Sequence, residues 1–250
     1  MILALAFIAL SVVTCVAFDA TDLSDPSEPW KDAKVGISSE VPHPFEPLSY
    51  PLDLQGPARP EVGCWGRTYT LAAPFPQQIT SQGEPLLAGP IRVLVEREGT
   101  VTELSESSVI LSRMSPTRVE FHGQMECGPI TVSIPGSIEY DGLVDIDMSV
   151  AADQPTQIDR LAVQIPVNPR VALFYHYSTQ WGKYAYGRID ELPEEGISES
   201  WQACWWIGDH RRGLTFVTET HGGWTGPTDQ QFRMEPTEDA RILTANIINE

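Results

Sequence analysis

The sequence predicts an all-β protein, an antiparallel β-sandwich preceded by an extended proline-rich segment and a hydrophobic leader. Three observations carry that expectation. Apolar and polar residues alternate with period two through most of the chain after Trp65. Turn signals such as "PGS", "YDG" and "EEG" interrupt the alternation at short intervals. No stretch carries the 3.6-residue apolar stripe of a long amphipathic helix.

The chain divides into a leader (residues 1–17), an extended segment (18–60) and the β domain (61–250). From Met1 to Phe18 only Ser11 and Thr14 interrupt an apolar run, and Cys15-Val16-Ala17 has the small-x-small form of a cleavage site. The reading taken is a secretory leader, which makes the protein secreted, periplasmic or cell-surface. No Lys or Arg precedes the run, so an uncleaved anchor and an artefact of the gene start stand as alternatives. Between Asp19 and Pro60, prolines at 42, 44, 47 and 51 exclude a helix and a central strand alike. The segment is expected to lie along the domain surface, anchored by Trp30, Val41, Phe45 and Tyr50.

Within the domain, Val119, Phe121, Gly123 and Met125 share one face of "VEFHGQM". The same phase recurs at Ile130, Val132 and Ile134, at Val144, Ile146, Met148 and Val150, and at Leu161, Val163, Ile165 and Val167. Each run is a strand with one buried and one wet face. "ARILTANIINE" ends the chain on a strand, Ile242 to Ile248, and the domain reads as cut there.

The 250 residues carry a formal charge of -18, with lysine only at 31, 34 and 183. Such a surface repels phosphates, so nucleic acid is excluded as a partner, whereas a neutral glycan is not. Without the leader, Cys64, Cys127 and Cys204 remain, an odd number. Three buried thiols are the preferred reading, with one disulfide the alternative.

"CWWIGDHRRGLTFVTETHGGW", Cys204 to Trp224, is the densest chemistry. Strands Ala203 to Gly208 and Gly213 to Thr220 joined by "DHRR" would set Gly208 against Gly213, Trp206 against Thr215 and Trp205 against Phe216. Trp205, Ile207, Leu214 and Phe216 then form the core face, and Trp206 turns the other way. Asp209 is expected to bond the backbone of its own turn rather than orient a catalytic histidine. Trp224, after two glycines, is the exposed aromatic of this stretch. In "FYHYSTQWGKYAYGRIDELPEEG", Phe174 to Gly196, the tyrosines and Trp181 could edge a glycan groove or cover one end of the domain; the two readings stand level. Candidates for carbohydrate or domain-interface contact are Trp206, Trp224, Trp181, Tyr177 and His210. No catalytic residue, metal site or cofactor is expected: the histidines are dispersed, and Asp145 and Asp147 read as a solvated strand face.

"EPWKDAKVGISSEVPHPFEPL" (28–48), "CWGRTYTL" with "SQGEPLLAGPIRV" (64–93) and "WWIGDHRRGLTFVTETHGGW" (205–224) follow one another in order. Together they resemble the N-terminal β-sandwich domain of glycoside hydrolase family 123-like proteins. Trp206, Gly208, Asp209, Arg212, Gly213 and Leu214 match the family's W-x-G-D-x-x-R-G-L pattern. The resemblance implies a secreted bacterial glycan-degrading protein of β-N-acetylgalactosaminidase type, acting on N-acetylgalactosamine-containing glycans. In that mechanism the substrate's acetamido group attacks the anomeric carbon, and an Asp-Glu pair in a (β/α)8 barrel assists. That barrel is expected to be missing here, and Asp190-Glu191 is such a pair in letters only. The chain alone is therefore expected to be inactive and to support the barrel. A free carbohydrate-binding module and a purely structural domain are the alternatives.

Overall fold

A computed structural model of the chain describes residues 39–51, 59–71, 75–104, 109–178 and 184–250, and 3–7 by their backbone. Among the described residues there is no α-helix, and the only helical turns are the short 3-10 segments Ile189–Glu191 and Thr228–Gln230.

The strands do not form the two facing layers of a sandwich. They fall into four small sheets arranged as the blades of a four-bladed propeller, which corrects the β-sandwich expectation. The alternation reports only that each strand buries one face; which strands become neighbours depends on pairings far apart in sequence.

Two sheets are local meanders. β2 (Glu61–Cys64), β3 (Arg67–Leu71), β4 (Pro76–Ser81) and β5 (Glu84–Pro85) pair in chain order. So do β8 (Val109–Met114), β9 (Arg118–Cys127), β10 (Ile130–Glu139) and β11 (Val144–Ala152), with β1 (Leu3–Phe7) along the outer side of β11. Here the alternation was read in the right phase. Val119, Phe121, Met125, Ile130, Val132, Ile134, Ile146, Met148 and Val150 are all buried.

The other two sheets draw on distant segments. β6 (Arg92–Arg97), β7 (Thr100–Leu104), β12 (Arg160–Val167), β15 (Ile197–Glu199), β18 (Phe232–Pro236) and β19 (Arg241–Asn249) assemble in the order β15-β18-β19-β12-β6-β7. β12 and β19 are central, and both bury both faces: Ala162 and Pro166 lie inside as well as Leu161, Val163, Ile165 and Val167. The fourth sheet takes β13 (Phe174–Ser178), β14 (Tyr184–Arg188), β16 (Cys204–Gly208) and β17 (Gly213–Val217) in the order β14-β13-β16-β17.

Residues 39–51 run beside β2, where Ser49 and Gly63 exchange backbone hydrogen bonds at 3.0 and 2.8 Å. Phe45 packs edge-on against Trp65 and Tyr140, while Trp30 lies outside the described residues. Cys64, Cys127 and Cys204 are free thiols; only Cys64 is fully buried, its Sγ donating to the Tyr140 carbonyl at 3.0 Å.

Candidate carbohydrate-facing surface

The sheet formed by β13, β14, β16 and β17 carries most of the nominated aromatics. The β16–β17 hairpin has the register expected from its sequence: Trp205 opposite Phe216, Trp206 opposite Thr215, Ile207 opposite Leu214, Gly208 opposite Gly213. Trp205 is 0% exposed and stacks on Tyr177, ring centroids 4.2 Å apart, with the Phe232 ring 5.6 Å away. Ile207 and Phe216 are buried with it, so this is the core face.

The tip is held by Asp209. Its Oδ1 accepts the backbone N–H groups of Arg211 (2.7 Å) and Arg212 (2.8 Å), and its own N–H donates to the Arg212 carbonyl at 2.8 Å. The Arg212 guanidinium stands 3.5 Å from Oδ2 and also reaches the Ser81 carbonyl on β4 at 3.5 Å. Burial works to raise the Asp209 pKa. The two N–H bonds and the charge of Arg212 outweigh it and hold the carboxyl below its usual range. Asp209 is therefore a turn-forming carboxylate, not the orienting member of a catalytic pair.

On the opposite face, the cross-strand partners align in one row: Tyr186 on β14, His176 on β13, Trp206 on β16 and Thr215 on β17. Strands about 4.8 Å apart put roughly 15 Å between the first and last of these positions. The Trp206 indole lies along the strand over the Gly208–Gly213 pair. An added Cβ at Gly213 would stand 2.6 Å from its Nε1, and one at Gly208 would stand 2.7 Å from its Cζ2. Two glycines thus leave a recess in which the ring lies down. Tyr186 at the far end is 77% exposed, and Thr215 is exposed as well. In the next row Phe174 meets His210 edge-to-face at 4.8 Å.

Trp206 and His210 therefore belong to one surface. Tyr177 does not: it is buried on the core face, its hydroxyl donating to Glu199 Oε1 at 2.5 Å. Burial, then that carboxylate, pushes its pKa up, and it stays a neutral phenol. Trp224 is elsewhere again, half-buried against Phe232 with centroids 5.4 Å apart. Trp181 lies outside the described residues.

The sequence groups Tyr186 with the tyrosines that could edge a groove and sets Thr215 opposite Trp206, but it does not single out His176 or join the three into one row. "FYHYS" and "YAYGR" do alternate, and His176 and Tyr186 fall in the phase of Trp206 once β13 is placed beside β16. That placement joins segments nearly thirty residues apart, and nothing local announces it.

The surface can stack and hydrogen-bond. Cys204, on the same face, has its thiol pKa pushed up by burial, away from reactive thiolate. Asp190 and Glu191 are exposed and pair with Arg188 at 2.5 and 3.4 Å. Its hydrogen bond to Arg188 holds the Asp190 pKa down, opposite to what a general acid needs. Among the described residues no three His, Cys, Asp or Glu side chains gather to hold a metal ion.

Residues 57–238 match the family model described as glycoside hydrolase 123, third domain. No curated protein matches the chain. The family is the one to which the three sequence motifs pointed; they were read as an N-terminal domain, whereas the matching model is named for the third. The match spans more than half of the chain and includes the whole Trp206-to-Leu214 motif, and the chain belongs to glycoside hydrolase family 123.

Proposed function

We propose that this chain is a non-catalytic β domain of a secreted family 123 glycan-degrading protein, and that it presents the Tyr186–His176–Trp206–Thr215 row to the glycan. The family supports a glycan as substrate in general; N-acetylgalactosamine-containing chains are the finer expectation carried by the sequence resemblance. Hydrolysis belongs, in this reading, to a (β/α)8 barrel that the β domain supports. The apolar leader is the feature that argues for export.

One observation carries the contact assignment: an indole laid over two glycines in line with a 77%-exposed tyrosine on the solvent face of a sheet. An aromatic face covers the C–H face of a pyranose, while His176 and Thr215 supply polar groups beside it. Isothermal titration of the full chain with N-acetylgalactosamine oligosaccharides tests the reading. Binding that Trp206→Ala and Tyr186→Ala each weaken at least tenfold supports it. No heat at millimolar glycan, or binding that both variants retain, defeats it. The same preparation is expected to leave p-nitrophenyl N-acetyl-β-galactosaminide uncleaved.

A further inference from the structure

All four sheets converge on a cavity of about 430 Å³. β3 and β4, β11, β12 and the edge strand β17 each contribute wall residues. Phe75, Ile79, Ile91, Ile165, Leu214 and Phe216 are among its apolar wall residues, and the volume lies in the ~300–1,000 Å³ range of small-molecule sites.

The polar side chains of the lining are few: Arg67 and Tyr69 on β3, and Thr215 on β17, which also ends the outer row. Tyr69 donates its hydroxyl to the Gly142 carbonyl at 2.9 Å and is thereby satisfied. Burial, partly offset by Arg67, pushes its pKa to about 12, so it remains neutral. Arg67 lies against Gly142, whose φ of 92° and missing side chain leave room for the guanidinium. Among the described residues no acidic side chain lines this cavity, and no carboxylate lies within ion-pair distance of Arg67. The nearby Asp141 directs its Oδ1 to the Leu143 N–H instead. A half-buried guanidinium beside apolar walls lacks the anion that such a group normally holds.

We propose that the cavity binds a small amphiphile whose single carboxylate pairs with Arg67 and whose apolar body fills the space between the four sheets. A sugar does not suit it, because its hydroxyls would be buried against Phe, Ile and Leu without partners. The ligand is thus chemically distinct from the glycan assigned to the outer face. Since every sheet contributes a wall, occupancy stabilises the assembled domain, and the unfolding midpoint rises with ligand concentration.

The test titrates the full chain with decanoate below its micellar concentration and reads thermal unfolding and binding heat; decanol is the uncharged control. Decanoate is expected to bind at least tenfold more tightly than decanol. Arg67→Met is expected to abolish that difference, while Arg67→Lys keeps part of it. Leu143→Trp adds bulk at a wall position that is 37% exposed. It is expected to block decanoate without touching glycan binding, which separates this site from the outer face. Equal binding of decanoate and decanol to the unaltered chain overturns the proposal. So does no binding at all, or decanoate binding unchanged by Leu143→Trp.

Discussion

One carboxylate oxygen of Asp209 replaces the main-chain partners that the tip of the β16–β17 hairpin would otherwise lack. Asp209→Ala is expected to cost about 1–2 kcal/mol in urea unfolding, the value of a charged acceptor serving two N–H groups near the surface. The pH dependence has a definite sign. The folded-state pKa lies below the ordinary 3.8, so this contribution is complete above that value and is lost as pH falls through the folded pKa. Asp209→Asn should therefore narrow the gap in stability between pH 5 and pH 2, and an unchanged gap would remove the electrostatic account. The glycine recess under Trp206 gives a second residue-scale outcome. Gly213→Ala should destabilise the chain by about 1 kcal/mol or more, and by less in a Trp206→Ala background. The relief is incomplete, because the Ile207 carbonyl also stands 2.7 Å from the added Cβ. Strict additivity in this cycle would show that the ring does not occupy the recess.

At the scale of the element, the wet side of β9, β10 and β11 places several carboxylates around one arginine. Arg118 holds Glu139 at 2.8 Å and stands 3.8 Å from Asp145. Burial raises the Asp145 pKa, and Glu139, Asp147 and Glu219 add to the rise against the opposing pull of Arg118. Stability from this group is greatest below pH 3.8 and falls as pH rises through the folded-state value. Asp145→Asn should thus gain a few tenths of a kcal/mol at pH 7 and match the parent in acid; the reverse order would refute the assignment. Legibility in the sequence also divides by element. The β16–β17 pairing could be written down in advance because four residues join the strands and two glycines mark their ends. The buried faces of β9, β10 and β11 followed from side-chain alternation alone. The sequence leaves Tyr177 open between groove edge and cover, and its burial follows from Trp205 lying across from it, a pairing between separate hairpins. Trp224 was read as exposed because "GGW" says nothing of Phe232, the ring it covers.

For the whole molecule, alternation could not distinguish two facing sheets from four blades, since both require one apolar side per strand. The double burial of "RLAVQIPV" was the local sign that β12 is enclosed. A net charge of -18 with few lysines also sets a global property. Self-repulsion opposes compaction, so raising sodium chloride from 10 to 150 mM should raise the thermal midpoint. A flat response would mean that the ion pairs at Arg92, Arg118 and Arg188 offset the excess charge locally. The placement of β19 between β12 and β18 has a consequence in biosynthetic time. β6, β7 and β12 leave the ribosome with one edge waiting for a strand made about 80 residues later, some ~4–16 s at ordinary elongation rates. Through that interval a chaperone that shields open strand edges has a defined client: the exposed side of β12.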